Sequence, residues 1–272
     1  MDVIRAKTAG FCMGVGLALQ KLDTALEQPC EGRTCTLGPI IHNPQVLADY
    51  EALGVFCAQD PSQLNATDRV LIRAHGITRH VVDATCPKVK RAQLAIERAT
   101  RDGEELLLFG EADHPEVRGL VSYAHGPAHV FGSRDELAAL HVDSERSYVL
   151  ASQTTQDRSV FEQLEKELRD RLPRLKVLAT ICDATRERQE EARSIAARVD
   201  AMVVVGGRQS GNTRRLADLA AQSGISTYHI EQAEELRAKN FAGKGRVGLT
   251  AGASTPRKLI DATQQWLEQL PD

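Results

Sequence analysis

Short apolar, β-branched runs recur along the chain, separated by stretches whose apolar residues fall at helical spacing. RVLIRA, ELLLFG, SYVLAS, LKVLATI, AMVVVGG and RVGLTAG each carry a core of roughly four to six such residues, the pattern of strands buried on both faces of a parallel sheet. VGLALQKLDTAL, VKRAQLAIERATRDG, FEQLEKELRDRL, RQEEARSIAARV and TRRLADLAAQSG lie between them and repeat every three to four residues, as amphipathic helices do. Several close on a glycine placed to cap the helix C-terminus. The alternation predicts an α/β protein without a flexible linker.

A threefold echo runs through this pattern. TLGPIIHNPQVLADY, LLFGEADHPEVRGLVSY and VVVGGRQSGNTRRLADL each read strand, glycine, polar loop, helix. RVLIRAHGIT, SYVLASQTTQ and RVGLTAGAST each end a strand on a small or polar tip. The spacing is too long for a solenoid, so we read three similar α/β domains about a pseudo-threefold axis, at residues 1–86, 87–178 and 179–272. Ligands of open α/β sheets bind at the carboxyl ends of strands, where these polar loops fall.

Composition narrows the functional classes. The 272 residues, 42% of them hydrophobic, can bury a full core, and length alone suggests about two domains. A net charge of −3 leaves no nucleic-acid footprint. No run approaches the ~18 apolar residues of a membrane span, and MDVIRAKTAGF lacks a signal-peptide core. Six scattered cysteines fit a reducing, cytoplasmic compartment better than a disulfide framework. Cys30, Cys35 and Cys57 read as inert structural thiols.

Cys12 in AGFCMGV, Cys86 in VVDATCPKV and Cys182 in VLATICDAT stand 74 and 96 positions apart, too far for a zinc knuckle or a redox pair. Three thiolates can hold an iron–sulfur cluster by three irons and leave the fourth open to a substrate. Any one of them alone is better read as a small buried hydrophobe; the recurrence of all three in the echo reverses that balance. His42, His75, His114, Ser210, Asn212 and Ser254 are donors without matching carboxylates, and Ser210 to Asn212 opens a helix, so a phosphate or diphosphate is the expected guest. Gly206, Gly207 and Gly211 would allow close backbone approach. His42, His114 and Ser210 are also ordinary turn and cap residues. Glu116 is the one acid among them and reads as a proton donor.

The segments GFCMGV, IIHNPQV, RAHGI, DATCPKV, DHPEVRG, ASQTTQ, GGRQSGNTRRL and TAGAST, in this order, resemble the LytB family of 4-hydroxy-3-methylbut-2-enyl diphosphate reductases over nearly the whole chain. The resemblance implies a trefoil of three α/β domains around a central [4Fe–4S] cluster. It implies the terminal step of the non-mevalonate isoprenoid pathway, in which an allylic hydroxyl leaves as water with two electrons and two protons, giving isopentenyl and dimethylallyl diphosphates. Residue by residue, Cys12, Cys86 and Cys182 match the cluster ligands. His42, His75, His114, Ser210, Asn212 and Ser254 match the diphosphate clamp, Glu116 the proton-feeding acid and Thr154 the hydroxyl that positions the substrate oxygen. Gly211 stands where many members carry a second serine, so its contact would come from the backbone N–H.

The family's electron donor is reduced ferredoxin or flavodoxin, and Lys88, Lys90 and Arg91 near Cys86 are candidates to meet it. A non-catalytic iron–sulfur sensor and a redox-neutral cluster hydratase are the competing readings; the HPE and QTT segments argue against the sensor. One departure stands out: Ile77 to Val82 is shorter than the ~10–12 residues a strand–helix–strand crossover needs, and the family carries a helix there. Because His75 and Cys86 keep their motif context, a skipped segment is the better account than a lost helix.

Overall fold

The computed structural model describes residues 1–72, the backbone of 81–83, and residues 85–270. β1 (Asp2–Arg5) leads into α1 (Met13–Glu27), followed by β2 (Thr34–Leu37), α2 (Pro44–Ala52), β3 (Phe56–Ala58), β4 (Arg69–Ile72) and β5 (Val81–Asp83). Next come α3 (Pro87–Ala99), β6 (Glu105–Phe109), α4 (Pro115–Val121), β7 (Ala128–Phe131), α5 (Arg134–Ala139), β8 (Tyr148–Ser152), α6 (Arg158–Arg171) and β9 (Leu175–Val177). α7 (Asp183–Ala196), β10 (Ala201–Val205), α8 (Gly211–Ala221), β11 (Ser226–Ile230), β12 (Arg246–Ala251) and α9 (Arg257–Glu268) close the order.

The expected α/β class is found, and so is the echo. Among the described residues the strands form three four-stranded sheets, ordered β3-β2-β4-β5, β7-β6-β8-β9 and β11-β10-β12-β1. Every pairing is parallel. The three orders are one order repeated, with β1 serving as the fourth strand of the last sheet. That pairing, Asp2 opposite Arg246 through Arg5 opposite Leu249, is not announced by the four-residue run DVIR.

The central strands show why the sequence reads as continuous apolar runs. β6, β8 and β10 are buried at every residue, because apolar clusters cover both faces of their sheets. Leu107, Phe109, Phe131 and Phe161 pack on one side of the second sheet, and Ile96, Leu106, Leu108 and Leu120 on the other. Val203, Leu249 and Ile260 face one way from the third sheet, Met202, Val204 and Leu216 the other.

The chain divides into two compact units, Met1–Ala84 with Glu187–Asp272, and Thr85–Arg186. The first holds two of the sheets and the second holds β6 to β9. In the second sheet α6 bridges the third and fourth strands, and α9 follows β12 in the same way. β4 and β5 also pair in parallel, yet only residues 73–80 separate them, and that connector lies outside the described residues.

Candidate functional site

All three singled-out cysteines open a helix. Cys12 caps α1 and Cys86 caps α3, neither with a side-chain capping bond. The Cys182 carbonyl accepts from Thr185 N at 2.9 Å and Arg186 N at 3.0 Å, the same station on α7. Each helix follows the fourth strand of its sheet, so the cysteines are equivalent positions of the repeat. The thiols form no disulfide among the described residues and are half-buried. Two of the cysteine N–H groups are held alike: Cys12 donates to Ala253 O at 3.1 Å and Cys182 to Thr154 O at 2.9 Å, each acceptor two residues past the third strand.

In the second unit, Thr154 joins two candidates. Its N–H donates to Glu116 Oε1 at 2.6 Å, and its carbonyl accepts from Cys182 N at 2.9 Å, so the Thr154 backbone links the acid to the cysteine. Glu116 sits in the first turn of α4, capped by His114, whose Nδ1 accepts from Glu116 N at 3.1 Å; in the neutral ring this leaves Nε2 as the donor. Thr154 is buried, as is Gln153 before it. Lys88 Nζ meets Asp183 Oδ2 at 3.2 Å, so the turns opened by Cys86 and Cys182 are tied by an ion pair.

In the first unit, three polar tips converge. Ser210 caps α8, with Gly211 and Asn212 in its first turn, and all three are buried. Ser254 Oγ donates to His42 O at 3.2 Å, bringing the tip of β12 to the loop before α2. A Cβ on Gly207 would overlap that same His42 carbonyl oxygen, and one on Gly206 would stand 2.6 Å from Thr255 Oγ1; glycine is what lets these backbones close. The Asn212 Nδ2 is buried with no hydrogen-bond partner among the described residues, an unusual condition for a native amide. His75 lies outside the described residues; by count it is three positions past β4, as Thr155 is past β8 and Ser254 past β12.

The repeat also brings forward Asn43, a residue of the first polar loop that the expected diphosphate clamp leaves out. Asn43 is the N-cap of α2, its Oδ1 accepting from Val46 N at 3.1 Å, and so stands where His114 and Ser210 stand. It is fully buried, and its Nδ2 likewise lacks a partner among the described residues. The signal was present in the sequence: Asn-Pro, His-Pro and Ser-Gly mark the same cap and first helical position.

No three or more His, Cys, Asp or Glu side chains are gathered at metal-holding distance among the described residues. No helix among them is long and apolar enough to cross a membrane.

Fold and site together define a three-sheet parallel α/β protein whose chemistry-bearing residues sit at strand carboxyl ends and helix N-termini. A sequence model of the family described as LytB protein matches residues 3–268, and the chain belongs to that family. The 4-hydroxy-3-methylbut-2-enyl diphosphate reductase of Desulfovibrio desulfuricans is 67% identical over 286 positions, covering 99% of this chain and 100% of that protein. Its namesake from Geobacter sulfurreducens is 45% identical over 281 positions, covering 99% and 98%. Alignments of this length on 272 residues mean that these relatives carry residues this chain lacks. A solved (E)-4-hydroxy-3-methyl-but-2-enyl diphosphate reductase, described as the terminal enzyme of the non-mevalonate pathway, superposes with TM-score 0.68 at 37% identity, covering 99% of this chain and 100% of that one. The E-1-hydroxy-2-methyl-but-2-enyl-4-diphosphate reductase of Plasmodium falciparum superposes with TM-score 0.90 at 22% identity, covering 100% and 88%; it shares the fold.

Proposed function

We propose that this protein is the reductase its relatives are named for: it removes the allylic hydroxyl of 4-hydroxy-3-methylbut-2-enyl diphosphate as water, consuming two electrons and two protons and giving isopentenyl and dimethylallyl diphosphates. The observation that carries the reading is the placement of Cys12, Cys86 and Cys182 at equivalent helix N-termini. Three thiols, each at the N-terminus of a helix, fit the donor set of a [4Fe–4S] cluster with one open iron. Such a cluster, when bound, supplies single electrons and a Lewis-acidic iron.

The protein's own residues do the rest. Ser210, Asn212, the Gly211 N–H, Ser254, His42 and His114, with His75, bind the diphosphate. Anchoring that unreactive end fixes the allylic carbon, converting binding energy into orientation. The partnerless Asn212 amide supports this, since an anion would satisfy it. Thr154 positions the substrate hydroxyl, and Glu116, held by the Thr154 N–H, gives the proton that lets hydroxide depart as water. Three α/β domains at residues 1–86, 87–178 and 179–272 belong to the same proposal, and the thrice-repeated strand order supports it. A cytoplasmic setting and a reduced ferredoxin or flavodoxin as donor belong to the same reading; six scattered cysteines fit a reducing compartment.

Anaerobic purification followed by iron and sulfide analysis tests it. About four of each per chain are expected, together with turnover that depends on an added reductant. A metal-free protein that still turned over, or turnover without reductant, would remove the reading.

A further inference from the structure

Six residues, 6–11, connect β1 to Cys12, against four, 178–181, between β9 and Cys182 and two, 84 and 85, between β5 and Cys86. The first connector is the longest and has the most freedom to lose. It contains Gly10 at φ +113°, a backbone state that other residues rarely adopt. Side chains around the cysteine do not pin it, since Phe11 is 40% exposed and Met13 58%. What holds the connector is α7. Glu191 Oε1 accepts from Lys7 N at 2.8 Å, and Oε2 accepts from Thr8 N at 2.9 Å and Thr8 Oγ1 at 2.6 Å. One turn earlier, Arg188 Nη2 donates to Gly10 O at 2.7 Å. Arg188 is buried, and the two residues, three apart, share one face of the helix. Connector, Arg188 and Glu191 all belong to the first compact unit. Burial pushes the Glu191 carboxyl up, but the Thr8 and Lys7 bonds hold it below the ordinary carboxylate range. Every one of these bonds therefore has an ionised partner, which makes it stronger than a neutral one.

Resting on the iron–sulfur reading above, we propose that Arg188 and Glu191 are the positioning residues of Cys12: by clamping residues 7–10 they set the place from which this thiol meets the cluster. The carboxylate takes N–H groups and the guanidinium takes a carbonyl, so the pair engages both polarities of the loop backbone. Neither can be replaced by the other. The partners that orient a metal ligand commonly decide its hold on the metal by about ten- to a hundredfold. Cys12 has the longest connector of the three cysteines and the greatest need of such partners.

The test uses the full chain, with its iron and after chelation, as the native protein and as R188Q, R188K, E191Q and T8V. In the iron-free protein, iodoacetamide labelling of Cys12, read by peptide mass spectrometry, should be about tenfold faster in R188Q and E191Q. Labelling of Cys86 and Cys182 should stay at the native rate. With iron bound, the same two variants should lose it to a chelator about ten- to a hundredfold faster. Their turnover with dithionite-reduced methyl viologen should fall in kcat while KM for the diphosphate holds. R188K can still donate to Gly10 O and should recover most of the iron retention. T8V removes one bond and keeps both charges, so it should lie between; it carries the comparison if either glutamine variant loses its native circular dichroism. Faster labelling at all three cysteines would show general loosening, and an unchanged rate at Cys12 would show that the clamp does not position it; either result overturns the proposal. A native protein without iron whose Cys12 labelling still answers to R188Q and E191Q would overturn the cluster reading and keep the clamp.

Discussion

The backbone N–H of Thr154 donates to the Glu116 carboxylate at 2.6 Å, tying the tip of β8 to the first turn of α4. The bond leaves the second carboxylate oxygen for another partner and fixes the acid against the Thr154 backbone. Glutamine can accept the same N–H bond but cannot supply the proton. Glu116→Gln is therefore expected to keep its iron and bind substrate within a few-fold of the native protein, while kcat falls by about 10²–10⁴. Viologen-driven turnover alongside iron analysis measures this; undiminished turnover would take Glu116 out of the reaction.

Much of this arrangement is legible before any coordinates. ELLLF, YVLAS and AMVVV announce buried parallel strands because both faces of their sheets are covered. The polar tips announce the site because strand carboxyl ends are where an open sheet admits ligands. Local pattern fails where pairing is decided at long range. Nothing in DVIR says that it will join β12, 240 or so positions away by contact rather than by composition. The tip after β8 carries both Thr154 and Thr155, and only the strand ends show that Thr155 is the one standing at the position of Ser254. Buried carboxylates are equally silent, since Asp68, Glu104 and Glu105 look like surface residues until their cationic partners Arg33, Lys176 and Arg146 are seen.

Asn43 and Asn212 present the same buried, partnerless amide from two α/β repeats. If both wait for an anion, replacing the amide by a carboxylate is worse than deleting it. Asn212→Asp should raise KM for the diphosphate by about tenfold to a hundredfold or more, the worth of a hydrogen bond to a charged group. The melting temperature should hold, because an acid in the first turn of α8 suits the helix dipole. Asn43→Asp should behave alike, keeping its cap on Val46. An unchanged KM in both variants would separate these amides from the anion.

Asp68 accepts from Asn65 N and Arg33 N, both at 2.9 Å, and from the Arg33 guanidinium at 2.7 Å. The Arg33 side-chain bond, then the two backbone donors, hold its pKa far below the ordinary carboxylate range against the opposing effect of burial. A carboxylate depressed on folding contributes stability that is complete above its unfolded pKa, about 3.9, and drains away as pH falls toward the folded value. Asp68→Asn should cost about 1–3 kcal/mol at pH 7. The gap from the native protein should narrow between pH 4 and pH 2. Urea unfolding across that range reads it, and a gap independent of pH would mean that the charge is not what matters.

Cys35 supplies the internal control for the three helix-opening cysteines. It is fully buried on β2, and burial first, with Asp68 adding to it, pushes its thiol up to about 11. At pH 8 only about one molecule in a thousand carries the reactive thiolate, and no helix N-terminus stabilises it. Iodoacetamide should accordingly leave Cys35 unmodified in the folded protein under conditions that alkylate an exposed thiol such as Cys30. Cys35→Ala should retain full iron content, losing at most about 1–2 kcal/mol of stability for the small volume removed. Cys12→Ser, Cys86→Ser and Cys182→Ser should each lose most of the iron while their far-ultraviolet circular dichroism stays native. Iron retained in all three serine variants would break the link between the threefold placement of these cysteines and a cluster.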